Sequence, residues 1–397
     1  MSLDMEHGIK EISPERARSF SGHENLQQVR EKRIREILSK FETTNGPKVS
    51  DILKQIKAEP IHSAPVGGLS KEPAENVMRM LEGEGIIKGK KKNHLNVRAG
   101  IVESIKEFTS KNEPIKLVFI ACPFKNPSIM STVRLFPDLG EIEMIRQFLR
   151  IDETIKLVYT PGLRFEVLSE TEDYVRRSVF QVDMDRANAY KQGLLYFAKT
   201  MNLGNKLELN DLFNLTSLDP RFGQLMEKKI NEKKKDQTFD DGLARLSEGI
   251  MEKSIDALVS DPSLTVDELI SIDLGILDNN KKLLFVQNEI SHRANELTLR
   301  YDAYHSTRSE LGLTKKHITD NGGAYVVVRE HLDRFAFNTA YPVTQYFPHH
   351  GHPVIDERTS RLEIVRMADL LIDPKRYIAV NCEGDFENKP FYFIKKN

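Results

Sequence analysis

IKLVFIACPFK, residues 115–125, is an apolar run closed by a proline and followed almost at once by a lysine. A short apolar run bounded in this way reads as a strand buried on both faces, Ile115 to Cys122, which is the pattern of a parallel sheet. Downstream, Asp138 to Leu149 has helical spacing, and IKLVYT, Ile155 to Thr160, repeats the apolar run as a second buried strand. Strand, helix and strand in that order form a βαβ unit, which places the two strands side by side and parallel with a right-handed crossover. RFEVL after Gly162 is a third strand and Asp185 to Lys199 a further helix. The expected fold class is therefore α/β: a Rossmann-like, mostly parallel sheet flanked by helices.

The residues before this unit have a different texture. Residues 1–100 carry 18 basic against 14 acidic side chains, and helical periods dominate at Leu26 to Phe41, Val49 to Ile56 and Ala74 to Glu82. The last of these runs into LEGEGIIKGKKKN, a basic turn with Lys88, Lys90, Lys91 and Lys92. Three helices leading into a basic hairpin outline a small N-terminal helical, winged-helix-like domain over residues 1–100. Residues 101–397 would then form a Rossmann-like catalytic domain with a β-rich C-terminal portion, since AYVVVREHL, RFAFNTAYPVTQYF, RYIAVNCE and PFYFIKKN are strand-like. Between them, helices are expected at Met226 to Gln237, exposed and without chemistry, at Asp240 to Val259, at Val266 to Leu274 and over the long run Asn280 to Glu310. The basic turn reads either as a wing touching DNA or as a solvated charge run. An excess of four charges is small for a DNA reader, so nucleic acid is not the expected partner.

Composition narrows the classes further. The 397 residues are 39% hydrophobic, and 58 Lys and Arg against 59 Asp and Glu leave a net charge of -1. This balance gives no general attraction to nucleic acid or to an anionic membrane. No apolar run approaches the roughly 20 residues of a membrane helix, and MSLDMEHGIKEISPERARS is charged from the start, so neither a span nor a secretory signal is expected and the cytoplasm is the expected location. Cys122 and Cys382 are too few for a disulfide framework and too far apart for a zinc motif.

In an open parallel sheet, ligands bind beyond the carboxyl ends of the strands. That rule selects CPFKNPSIMS after the first strand and TPGLR after the second. Lys125 can meet a phosphate or carboxylate there. Asp138 reads as the N-cap of the crossover helix with Glu141 at N3, a reciprocal capping pair, and Arg164, Arg176 and Arg177 add positive charge. PHHGHP brings His349, His350 and His352 together; without an HxxxH helix or an HxD pairing these are expected as acid/base or hydrogen-bond groups rather than metal ligands. His292 and Arg293 lie within the long helix, and Arg293 is the one suited to bidentate pairing with an anion.

The run EPIKLVFIACPFKNPSI, then FPDLGE, IKLVYTPGLRFEVL and VDMDRANAY, resembles the core of the pyoverdine/dityrosine biosynthesis superfamily, the isonitrile synthases. The residues that carry the resemblance are Pro123, Lys125, Asn126, Pro127, Pro137, Asp138, Gly140, Glu141, Tyr159, Pro161, Gly162 and Tyr190, with weaker echoes at Arg293 and at Pro348, His350 and Gly351. It departs at Ser128, Ile129 and Met130, where the family has a second lysine, and at Thr171, Glu172 and Asp173, where it has a Ser-Asp-Gly turn. The resemblance implies an enzyme that joins the amino nitrogen of an aromatic amino acid to a carbon of a pentulose phosphate, with small-molecule substrates and no cofactor. It assigns Lys125, Arg164 and Arg293 to the anionic groups, Asp138 and Glu141 to orientation or proton transfer, and Tyr159 and His350 to secondary proton roles. Lys125, Asp138, Glu141 and Tyr159 are thus expected to line one cleft, with Arg164 and His350 opposite. The alternative is a DNA-binding regulator whose α/β part senses a small molecule.

Overall fold

The computed structural model describes residues 23–57, 59–61, 68–83, 87–88, 94–121, 124–125, 128–176, 184–217, 219–236, 264–276, 280–326, 336–337 and 350–396. In chain order the elements are α1 (His23–Leu38), β1 (Glu42–Asn45), α2 (Val49–Gln55), α3 (Pro73–Gly83), β2 (Ile87–Lys88), α4 (His94–Thr109), β3 (Ile115–Ala121), α5 (Leu139–Lys156), β4 (Leu163–Ser169), α6 (Thr171–Arg176), α7 (Met184–Thr200) and β5 (Leu207–Asp211). They continue with α8 (Phe213–Thr216), α9 (Phe222–Asp236), α10 (Val266–Asp273), α11 (Lys281–Glu310), α12 (Leu313–Asn321), β6 (Ala324–Tyr325), β7 (Ala336–Phe337), β8 (His352–Asp356), β9 (Leu362–Val365), α13 (Met367–Leu370), β10 (Tyr377–Asn381) and β11 (Tyr392–Lys395).

Four strands form a wholly parallel sheet in the order β5-β4-β3-β6. Numbered from β3 this is the order 3-2-1-4 of a Rossmann half, and the chain changes direction across the sheet between β3 and β6. Side chains alternate faces. Ile115, Leu117, Phe119, Leu163, Phe165 and Val167 point into one core with α4, α5 and α7. There Phe148 stacks on Phe165 at 4.8 Å and meets Phe119 at 5.7 Å, contacts of about 0.5–1.5 kcal/mol each beyond their area. The opposite face carries Val118 and Leu168 together with Lys116 and Glu166, which are paired at 3.1 Å and covered by His317 of α12.

The partner expected for β3 is displaced. IKLVYT is not a strand: α5 continues to Lys156, the chain turns over Leu157 to Thr160, and the parallel neighbour of β3 is β4, in register from Ile115 opposite Leu163 to Ala121 opposite Ser169. Periodicity cannot separate a six-residue apolar run in a strand from the last turn of a buried helix, and Ile155 is the final apolar step of the α5 stripe that includes Ile145 and Ile151. The reversal is made at Gly162, whose φ of +70° a side chain disfavours. Leu163 N–H then donates to Asp152 Oδ1 at 2.7 Å, which ties the start of β4 to α5.

A second, mixed sheet has the order β1-β10-β11-β8-β9. It rests on Ile34 and Ile37 of α1, Leu269 and Ile272 of α10 and the loop residues Ile129, Met130 and Val133. β1 enters it as a parallel neighbour of β10, while α3 and α4 contribute Val77, Met78, Ile105 and Phe108 to the core of the parallel sheet. The described residues between 42 and 109 are therefore built into the remainder of the chain, and the boundary expected at residue 100 falls inside α4. β2, which contains Lys88, pairs antiparallel with β7 rather than with an adjoining wing strand; Lys90, Lys91 and Lys92 lie outside the described residues. The helix expected over Asp240 to Val259 also lies outside them. Of the helix expected to be exposed, Met226 to Gln237, the residues up to Asp236 lie in α9 and bury Met226 and Ile230 against α11, and Gln237 lies outside the described residues. Among the described residues no helix is long and apolar enough to cross a membrane.

Candidate active site

Beyond the carboxyl end of β3 the chain reaches Lys125, whose ammonium lies between two carboxylates, 2.9 Å from Asp138 Oδ2 and 2.9 Å from Glu141 Oε1. All three side chains are fully buried. Asp138 and Glu141 also form the capping pair expected from their spacing: Gly140 N–H donates to Asp138 Oδ1 at 2.9 Å and Asp138 N–H donates to Glu141 Oε2 at 2.8 Å. One carboxyl oxygen of each residue thus closes the helix while the other faces the lysine. Tyr190 on α7 donates its hydroxyl to Glu141 Oε1 at 3.0 Å. Burial pushes the Asp138 carboxyl well above the usual carboxylate range, against the pull of Lys125 and with the charge of Glu141 adding to the rise. Burial and then Glu141 push the Tyr190 hydroxyl up as well.

Arg134 closes the cluster from the other side. Its guanidinium grips Asp385 with two hydrogen bonds of 2.7 Å and donates to the carbonyls of Lys389 at 3.0 Å and Pro390 at 3.2 Å, with Asp138 at 3.7 Å. Burial opposes its charge, but Asp385, Glu387 and Asp138 outweigh that and hold the pKa above the ordinary value. The Glu387 carboxylate accepts from Leu135 N–H at 2.8 Å and Phe136 N–H at 3.0 Å, so the turn before β11 clasps the turn before α5. Of the three histidines in PHHGHP, His352 belongs to this neighbourhood. Its Nε2 accepts from Val133 N–H at 3.0 Å, and burial, then Lys125, Arg134 and Lys389, hold it far below its ordinary pKa and so neutral. His350 is half-buried in the turn entering β8, and His349 lies outside the described residues.

A second polar cluster stands beyond the carboxyl end of β4. Glu170 N–H donates to Ala121 O at 3.2 Å, so this residue sits directly against the end of β3. Tyr174 O–H donates to Glu170 Oε2 at 2.7 Å, which leaves its oxygen to accept from His305 Nε2 at 2.9 Å. His305 Nδ1 in turn accepts from Arg308 Nη2 at 3.1 Å, while Arg308 Nη1 pairs with Glu170 Oε1. The chain of donors runs in one direction and selects the Nε2–H tautomer of His305. Burial, opposed by Glu170 and assisted by Arg308, lowers the His305 pKa to about 4. Glu170 is held below its ordinary value: burial acts the other way, but Arg308 and His305 outweigh it. Alongside, Asp173 accepts from Tyr304 O–H at 2.8 Å and from Thr216 O–H at 2.6 Å.

Of this cluster only Asp173 is named from the sequence; the α11 residues are not, although Tyr301, Tyr304, His305 and Arg308 fall at i, i+3, i+4 and i+7 of one helix face. An aromatic and basic stripe of that kind within a helix, combined with the ETED acidic run directly after a strand, is the signal that could have found them.

Two expected members stand elsewhere. Tyr159 donates its hydroxyl to Glu113 O at 2.8 Å, just ahead of β3, and Arg164 is in register with Lys116 near the start of the strands, its guanidinium over Phe108 at 5.8 Å. Both lie at the amino end of the sheet, opposite Lys125. The cause is the displaced strand: TPGLR leads into β4, whose first residues are Leu163 and Arg164, rather than following a strand. Arg293 lies on α11, and its side chain is outside those described. Among the described residues no three His, Cys, Asp or Glu converge to hold a metal ion.

Residues 105–265 match the model of the pyoverdine/dityrosine biosynthesis protein family. Over 131 residues the chain is 25% identical to the L-tryptophan isonitrile synthase of Fischerella ambigua, a stretch that covers 32% of this chain and only 38% of that curated relative. In fold it is similar to the crystal structure of the PvcA protein from Pseudomonas aeruginosa, with a TM-score of 0.56 and 15% identity over 81% of this chain and 99% of that one. These likenesses do not favour the alternative of a DNA-binding regulator.

Proposed function

We propose that this chain, a member of the pyoverdine/dityrosine biosynthesis (isonitrile synthase) family, is a biosynthetic enzyme that condenses the amine of an aromatic amino acid with a sugar phosphate. The observation that carries this reading is the gathering of buried ionisable groups at the carboxyl ends of β3 and β4, beside the change of chain direction between β3 and β6. Buried charges are costly to a fold and often no better for stability than apolar packing. A concentration of them at the ligand-binding edge of a parallel sheet is therefore better explained by chemistry.

An amine must lose a proton before it attacks a carbonyl, and the resulting hydroxyl must gain one to leave as water. In this reading Asp138, kept protonated more readily than an ordinary carboxyl, gives and takes that proton. Lys125 offsets the charge left behind, and Glu141 and Tyr190 fix the orientation of both. The same groups would serve the later proton transfers.

The test is mass spectrometry of the full chain incubated with L-tryptophan, L-tyrosine or L-phenylalanine and ribulose 5-phosphate. An isonitrile, heavier than the amino acid by a carbon and lighter by a pair of hydrogens, is the expected product. A folded protein that forms no isonitrile and consumes no sugar phosphate with any of the three would overturn the reading.

A further inference from the structure

Three buried cations attend the carboxyl ends of β3 and β4, and they are not equivalent. The side chains of Lys125 and Arg134 have no exposure, and each is enclosed by carboxylates, Asp138 and Glu141 around one and Asp385 and Glu387 around the other. Arg308 retains 11% exposure. It has one acidic partner, Glu170, and one neutral partner, His305. Its guanidinium lies 5.6 Å over the Tyr304 ring, which fixes the plane, and Tyr325 of β6 is within its electrostatic reach. Arg308 is therefore placed between the end of β4 and β6, across the point where the strand order reverses, which is where an α/β sheet holds its ligand. Glu170 takes an N–H of Nη1 and His305 an N–H of Nη2, and Nε–H with the second N–H of each Nη takes no part in these two bonds. Asp173, the other carboxylate nearby, is satisfied by the hydroxyls of Tyr304 and Thr216.

A guanidinium held by a carboxylate at Nη1 and a neutral imidazole at Nη2 still has Nε–H beside an Nη N–H, a pair suited to bidentate binding of an anion. We propose that Arg308, oriented by Glu170 and His305, binds an anionic group of the substrate, a carboxylate or a phosphate, at the reversal point between β3 and β6. Which molecule brings that anion rests on the synthase reading; the binding itself does not. His305 touches the guanidinium, and the half-buried ring of Tyr301 lies against His305 on the same helix face, with ring centroids 4.2 Å apart. They offer an aromatic side to whatever the arginine holds.

Calorimetric titration of the full chain with inorganic phosphate, ribulose 5-phosphate, L-tryptophan and L-tryptophanamide tests this, with Arg308→Lys and Arg308→Gln compared to wild type and Arg164→Gln as a control at the amino end. If the anion is a phosphate, both Arg308 variants weaken phosphate and ribulose 5-phosphate at least tenfold and leave L-tryptophan unchanged. If it is the carboxylate, they weaken L-tryptophan to the level of its amide and leave the phosphates unchanged. Arg164→Gln changes neither. Wild type that binds none of the probes, or folded Arg308 variants that bind all of them as wild type does, overturns the proposal. Should both variants fail to fold, phenylglyoxal labelling of wild type replaces them: a saturating anionic probe must slow modification at Arg308 severalfold by peptide mapping, and no protection overturns the proposal. Arginine-dependent binding without any isonitrile product would leave this site standing and remove the synthase reading. Undiminished isonitrile formation by Arg308→Lys would do the reverse.

Discussion

A single ammonium at Lys125 lies between two carboxyl groups that are also the cap of a helix, and this double duty decides what its loss should do. With the lysine shortened, Asp138 and Glu141 remain buried and face each other without a cation between them. Breaking a buried pair in this way costs about 3–5 kcal/mol. As an exposed phosphate anchor, Lys125 would be dispensable for stability; with no exposure it is not. Lys125→Met, which keeps most of the volume, is therefore expected to lower the unfolding free energy by about that amount at neutral pH, read from urea denaturation. Lys125→Met combined with Asp138→Asn, which removes one of the two facing carboxyl groups, should recover part of the loss. Single and double variants within experimental error of wild type would show that the ion pairs contribute nothing and that Lys125 is free to serve a ligand.

At the scale of elements, the turn from α5 into β4 is the feature on which the site's geometry depends, because it sets which residues reach the carboxyl edge. A Cβ on Gly162 would lie 2.3 Å from Asp152 Oδ1, the oxygen that accepts from Leu163 N–H, and the backbone there has positive φ. Gly162→Ala is expected to cost about 2–4 kcal/mol, the left-handed conformation together with a displaced buried hydrogen bond. Gly275→Ala has a comparable φ of +71° but open space, so it should cost only the conformational part, about 1–2 kcal/mol. Equal losses in thermal unfolding would remove the contact from the argument. The same turn marks where the sequence is readable. β3 was evident because its apolar run ends at a proline, and the Asp138 to Glu141 cap because its spacing has one local meaning. IKLVYT was not, since helix and strand bury it equally well, and Tyr159 and Arg164 followed it to the wrong end of the sheet. β5, LELND, hides its alternation behind acidic residues half-exposed at the sheet edge. Arg308 was invisible for another reason: its partners come from 138 and three residues away, and only folding brings Glu170 and His305 to it.

For the whole molecule the question is whether the residues before α4 form a unit of their own. Their charge balance and helical texture suggest one, but charge describes the surface and says little about which face is buried. β1 pairs with β10 over four residues, Phe41 packs edge-on to Phe393 at 5.2 Å, and Arg33 donates to Leu264 O at 2.6 Å. On the other side of the basic segment, Arg98 of α4 reaches back to Glu75 at 2.6 Å and Glu82 at 3.0 Å on α3. Contacts of this kind cross the segment between α3 and α4 from both directions, and the two helices share one apolar core with α5. Cutting the backbone there removes a connection but none of these interactions. A site-specific protease sequence placed over residues 89–92 should therefore yield two pieces that co-elute at the size of the intact chain in native gel filtration and separate only in denaturant. Release of the N-terminal piece under native conditions would restore an independent domain ending near residue 100. Co-elution would mean that α3 stays packed against α4 and α5 without a covalent link, and that a shortened chain starting after the basic segment exposes the apolar surface of α4 and α5 that Val77 and Met78 of α3 share.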